Sequence, residues 1–170
     1  MPCCPRATTL HFQRVTVALS CLGRHEMTDT ASSQTDCRLR LLLIESVEIW
    51  RRFVLAVVGE DPATEVVGIA EDRLDGLRKA RELRPDIVLI DIGPPQIRGI
   101  EVVRQIRNSC PESRILFLLE NSDPDTVVAA FSVGAHGYVL KSKTDCDLPL
   151  ALRVVRRQKR FIGRGVRKFK

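Results

Sequence analysis

Three short apolar runs in this chain each end on a charged residue. Leu41-Leu42-Leu43-Ile44 runs into Glu45, Ile87-Val88-Leu89-Ile90 into Asp91, and Tyr138-Val139-Leu140 into Lys141. Runs of this length and composition suit strands buried on both faces. Helical patterns separate them, so the strands are expected to lie parallel with crossover helices on both sides. In such a sheet, ligands bind beyond the carboxyl ends of the strands, which is where these three charges converge. Two carboxylates and one ammonium at that edge suit a divalent cation and a phosphoryl group.

The elements that must position these residues are legible from residue 39 onward. The pattern predicts strand one over 39–45, and helix one over 47–58 with Ile49, Phe53 and Val57 on its inner face. Glu60-Asp61-Pro62 then breaks the chain. Strand two is expected over 65–70, and helix two over 72–83 with Leu74, Leu77 and Ala80 inward. Arg84-Pro85-Asp86 turns into strand three, which ends at Asp91, and Gly93-Pro94-Pro95 is a rigid loop. Helix three follows over 99–108, strand four over 114–119 and helix four over 123–133, stopped by Gly134. Strand five covers 137–140 and helix five 144–159. Residues 1–38 lack sustained periodicity and are expected to be a disordered extension. Their apolar stretch 15–22 only faintly imitates a secretory signal, and an unused upstream start codon would account for the segment. The domain is expected over 39–162, with a basic tail over 163–170.

Composition narrows the function classes. Of the 170 residues 44% are apolar, yet no uninterrupted run approaches the roughly 20 residues a membrane span needs. A soluble, cytoplasmic protein without membrane partners is expected. Cysteines 3, 4, 21, 37, 110 and 146 have no C-x-x-C spacing and no neighbouring histidine, which argues against zinc and for reduced thiols. The net charge of +6 is concentrated at the end, where Arg153 to Lys170 includes no acid. Phosphates of nucleic acid would be its counterpart, but a solvated helix face with a frayed basic end is the plainer reading. Without a helix-turn-helix or an aromatic-interleaved basic sheet, nucleic acid is not expected as a partner. A flavodoxin-type cofactor enzyme is disfavoured too, since Glu45-Ser46-Val47-Glu48 after strand one would repel a phosphate.

Five alternating strand–helix units give an α/β, flavodoxin-like, doubly wound five-stranded parallel sheet in order 2-1-3-4-5. In that register Ile90-Asp91-Ile92-Gly93-Pro94-Pro95 with Gly99, and Gly134-Ala135-His136-Gly137-Tyr138-Val139-Leu140-Lys141, resemble the receiver domain of bacterial two-component response regulators. The resemblance covers about 39–161. It implies that Asp91 accepts a phosphoryl group from a histidine kinase and that Lys141 pairs with the phosphoryl oxygens. It further implies Mg²⁺ held by Asp91, an acid after strand one and the backbone carbonyl of Gly93. Such a chain is a phosphoacceptor that assists its own phosphotransfer and dephosphorylation rather than an enzyme. It would signal to a downstream protein through the face of helix four, strand five and helix five, with a homodimer also open.

The departures from the resemblance are specific. Where the family carries two acids after strand one, this chain has Glu45-Ser46, and serine is a neutral, weaker ligand. The Ser/Thr switch position at the end of strand four holds Leu119, followed by Glu120 where a small residue is usual. Leucine offers no hydroxyl to link the phosphoryl group to the strand-five aromatic, Tyr138. A phosphorylation-impaired pseudo-receiver, acting as a protein-interaction module, is the alternative these departures raise.

Overall fold

The computed structural model describes residues 38–93, 96–121 and 123–163. The expected extension over 1–38 and tail over 163–170 lie, but for Arg38 and Gly163, outside the described residues, as do Pro94 and Pro95. Among the described residues there are six parallel strands: β1 (Leu39–Ile44), β2 (Thr64–Ala70), β3 (Ile87–Asp91), β4 (Arg114–Leu119), β5 (Gly137–Leu140) and β6 (Phe161–Ile162). Between them run α1 (Glu48–Gly59), α2 (Arg73–Leu83), α3 (Gln96–Ser109), α4 (Pro124–Ser132) and α5 (Thr144–Arg156). The order is β2-β1-β3-β4-β5-β6, so the direction of travel across the sheet reverses between β1 and β3.

Strand periodicity divides the core into two layers. Leu42, Ile44, Val88, Ile90, Ile115 and Phe117 face one side, against Ala80, Val103, Ile106 and Ala130 of α2, α3 and α4. Leu41, Leu43, Leu89, Leu116, Leu118 and Val139 face the other, against Val54 and Val58 of α1 and Leu148, Ala151 and Val155 of α5. Helix ends are set by side chains of suitable chemistry. Asp72 accepts the Asp75 N–H at 2.8 Å to start α2, and Asp123 accepts the Thr126 N–H at 3.0 Å, with Pro124 next, to start α4. Arg114 donates to the carbonyls of Val155 (2.7 Å) and Arg156 (3.0 Å), capping the negative end of α5.

Five expectations are corrected. The inner face of α1 is the stripe of Val54 and Val58; Ile49 is 74% exposed and Phe53 40%. Two apolar stripes one residue apart run along this helix, and periodicity alone does not rank them. Leu74, in the first turn of α2, is 78% exposed, while Leu77 and Ala80 are buried as expected. Helix α3 begins at Gln96, nearly a turn before Gly99, and α5 ends at Arg156 rather than 159. Beyond α5, Gln158 adopts a left-handed conformation (φ 61°) and turns the chain into the sixth strand, which the five-stranded reading lacked. Gly137 makes that pairing possible: a Cβ there would meet the Phe161 carbonyl oxygen at 2.4 Å.

His136 joins β4 to the segment entering β6. Its Nδ1 accepts the Ile115 N–H at 3.1 Å, its own N–H reaches the Ile115 carbonyl at 2.8 Å, and its carbonyl accepts from Phe161 at 3.0 Å. Burial, reinforced by Arg107, Arg114 and Arg160, lowers the imidazole from 6.5 to about 4. The neutral ring therefore stabilises the fold fully above pH 6.5, and that contribution is lost as pH falls through about 4. Imidazole NMR is expected to give a His136 midpoint near 4, with the melting temperature falling across the same window. A midpoint near 6.5 would show that the ring is not held by Ile115.

Candidate functional site

Each of the three charged residues directly follows or ends a strand whose closing apolar run is buried, so the sheet delivers them to one edge at the point where its order reverses. Asp91 is the last residue of β3, Glu45 follows β1, and Lys141 opens a 3-10 turn (Lys141–Lys143) after β5. They meet there. Lys141 Nζ lies 3.0 Å from Glu45 Oε2 and 3.1 Å from Asp91 Oδ2, and sits over the Trp50 ring at 5.1 Å from its centroid. Glu45 is 0% exposed and Lys141 4%. The second Glu45 oxygen accepts the Val47 N–H at 2.9 Å, leaving Oε2 with the ammonium as its counter-charge.

Burial raises Asp91 above the ordinary carboxylate range, and the charges of Glu45 and Glu120 add to this against the opposing pull of Lys141. For Lys141 burial acts downward, but Glu45 and Asp91 outweigh it and hold the ammonium above its usual value. Asp91 is thus a partly exposed carboxylate of raised basicity beside a permanently charged ammonium. That pairing suits a nucleophile whose product gains negative charge.

A cleft of about 870 Å³ is lined by Asp91 together with Ser46, Gly93, Glu71, Arg73 and Leu74, among others. Two arginines here were not singled out by sequence reasoning. Arg51 donates to the carbonyls of Glu45 (3.1 Å) and Ser46 (3.0 Å) and pairs with Glu71 at 3.1 Å. Arg73 donates to the Gly93 carbonyl at 3.1 Å. Arg51 lies six residues after Glu45 on the adjoining helix, a spacing that could have flagged it; nothing in the local sequence around Arg73 does so.

The donor set does not fit a tightly held Mg²⁺, which requires hard oxygens in near-octahedral array. Glu45 is enclosed and its oxygens are engaged, Ser46 is neutral, and the Gly93 carbonyl already accepts from a guanidinium. Among the described residues no group of three His, Cys, Asp or Glu side chains is arranged to hold a metal.

Leu119 is 2% exposed at the end of β4, and Tyr138 is fully buried on β5 within the same apolar layer. The Tyr138 ring meets Phe131 edge to face at 6.2 Å, and its buried hydroxyl has no hydrogen-bond partner among the described residues. The structure therefore brings Glu45, Asp91 and Lys141 into contact, places Ser46 and Gly93 on the cleft, and leaves Leu119 and Tyr138 inside the core.

Replacing Lys141 by Met would leave Glu45 enclosed without a counter-charge. Chemical denaturation is expected to show a loss of about 3–5 kcal/mol, with partial recovery in the Lys141→Met, Glu45→Gln double variant. Equal stability of the single variant and the parent would contradict the ion-paired arrangement.

Residues 41–153 match the response regulator receiver domain. The chain is 36% identical over 110 residues to a protein-glutamate methylesterase/protein-glutamine glutaminase of Geobacter sulfurreducens, covering 64% of this chain and 30% of that protein. It is 34% identical over 115 residues to the transcriptional regulatory protein LiaR of Bacillus subtilis, covering 68% and 54% respectively. A two-component response regulator of the LuxR family from Aurantimonas sp. superposes with a TM-score of 0.68 at 32% identity, over 72% of this chain and 88% of that one. The chain thus spans between 30% and 54% of the length of these curated relatives. With the strand order, the charged edge and the match over more than half its length in agreement, this chain belongs to the response regulator receiver domain family of two-component signalling.

Proposed function

We propose that Asp91 is the phosphoacceptor, taking a phosphoryl group from a phosphohistidine of a histidine kinase and passing the signal on by protein–protein contact. The observation that carries this reading is the Lys141 ammonium 3.1 Å from Asp91 Oδ2 at the open end of the sheet. An Asp91 oxygen attacks phosphorus as the nitrogen–phosphorus bond breaks, leaving an acyl phosphate on Asp91 and the imidazole on the kinase. Lys141, already in place, pairs with the added oxygens at little reorganisation cost. Asp91 is consumed and regenerated by hydrolysis, so the chain is a phosphoacceptor assisting its own modification. No described helix is long and apolar enough to cross a membrane, and a cytoplasmic location accords with this role.

The output face is α4, β5 and α5, toward a downstream protein or a second copy of the chain. Transmission to that face is weak. Leu119 supplies no hydroxyl to follow the phosphoryl group, Tyr138 is already enclosed, and β6 lies hydrogen-bonded along β5. A switch requires contacts that differ between its two states, and this contact is missing.

Incubation with acetyl phosphate is expected to add the mass of one phosphoryl group, and the Asp91→Asn variant to add none. An unmodified parent, or a modified Asn variant, would sink the assignment. In the parent, backbone chemical shifts of α4 and β5 are expected to move little on modification, whereas Leu119→Thr increases the movement. Large Asp91-dependent shifts in the parent would show that Leu119 does not uncouple the switch.

A further inference from the structure

Receiver domains generally bind Mg²⁺ at their acidic pocket, and the disagreement between that expectation and this donor set has a structural counterpart. The Gly93 carbonyl, the backbone oxygen expected to hold the metal, accepts instead from the Arg73 guanidinium at 3.1 Å. Arg73 lines the same cleft as Asp91, Ser46 and Gly93, and a Cβ on Gly93 would lie only 3.4 Å from Asp91 Oδ2. The guanidinium is therefore tethered at the backbone that borders the Asp91 carboxylate.

Two of the acids around it have cationic partners. Glu71 is paired with Arg51 at 3.1 Å, and Asp75 with Arg78 at 2.6 Å and Lys79 at 2.7 Å. The Asp72 side chain caps α2 through the Asp75 N–H. Among the described residues no carboxylate pairs with Arg73. Its positive charge lies on a cleft shared with Asp91, which is paired with Lys141, and with Asp72, and a dication entering there meets a like charge. Where an aspartate at position 46 would have added a negative charge, the chain has a neutral hydroxyl.

We propose that Arg73 is a built-in monocation that takes the place of Mg²⁺ at the Asp91 cleft, so that the site excludes divalent metal and phosphoryl oxygens arriving there are met by Arg73 and Lys141. A guanidinium is always charged and offers a planar fork of donors matched to phosphate oxygens, so it suits this task better than lysine would. The phosphoryl half rests on Asp91 being the phosphoacceptor; the metal half does not.

Titration of the full-length chain with Mg²⁺ alone, followed by calorimetry and Trp50 fluorescence, tests the metal half. The comparison is made in the Ser46→Asp background, where the added carboxylate is expected to raise affinity. Adding Arg73→Ala is expected to tighten Mg²⁺ binding about tenfold, and Arg73→Gln to have an intermediate effect. Adding Arg78→Ala instead removes the same formal charge from the same cleft lining, but from a residue paired with Asp75 and Glu82, and should change affinity less than about twofold. Equal effects of the two arginine variants, or no effect of Arg73→Ala, would overturn the proposal.

The phosphoryl half is read from the acetyl phosphate reaction with EDTA or with Mg²⁺. The parent's yield is expected to be the same in both, and the Arg73→Ala yield to fall in EDTA. A parent that requires Mg²⁺ would refute Arg73 as its substitute. A parent unmodified under both conditions would count against Asp91 as phosphoacceptor and against the phosphoryl half together, leaving the metal titration to decide the exclusion on its own.

Discussion

A lysine ammonium enclosed at the end of a parallel sheet is the constraint around which the rest of this structure is arranged. Lys141 is all but removed from water, and an isolated charge in that position would be expelled or neutralised. It stays charged because Glu45 and Asp91 stand 3.0 and 3.1 Å away and the Trp50 ring covers it. Those partners come from β1, β3 and the first turn of α1, while the lysine follows β5. One ion cluster thus fastens the carboxyl ends of strands up to three positions apart in the sheet.

The same cluster sets the chemistry of Asp91. Two carboxylates share one ammonium, so burial and the neighbouring Glu45 charge lift Asp91 while Lys141 restrains the rise. Glu45 is committed to this arrangement through both oxygens, one on Lys141 and one on the Val47 N–H. A carboxylate so enclosed stabilises the ammonium rather than serving the cleft. The cleft holds Asp91 and Asp72 beside Glu71 and Asp75, which have cationic partners, and Arg73 places a fixed cation among these carboxylates.

Between the cluster and the α4, β5 and α5 face proposed for output, the packing is apolar. Leu119 and Tyr138 occupy the same buried layer, with Phe131 against the tyrosine ring. Strand β6 extends the sheet beyond β5, with Gly163 N–H on the Tyr138 carbonyl at 3.2 Å and Arg160 lying 6.0 Å from the Phe131 ring. The edge of β5 is thereby paired rather than left as a template for another chain.

Much of this was legible in the linear chain. Fully buried parallel strands must be continuously apolar, so their ends were marked by Glu45, Asp91 and Lys141, and the turn chemistry of Asp61-Pro62 and Gly134 separated the helices. The meeting of those three residues followed from topology, because parallel strands deliver all their carboxyl ends to one edge. The rotation of α1 was decided only in three dimensions: its two apolar stripes differ by one residue, and packing on the sheet buried Val54 and Val58 while Ile49 stayed in water. The same is true of β6, a two-residue strand too short for periodicity, which exists because Gly137 leaves room for the Phe161 carbonyl. Arg73 belongs to this group as well. Its bond to Gly93 spans twenty residues and two elements, and a long side chain's partner across that gap is set by how α2 sits over the sheet. Strand composition and order belong to the sequence; helix rotation, edge pairing and the choice of cation beside Asp91 belong to the packing.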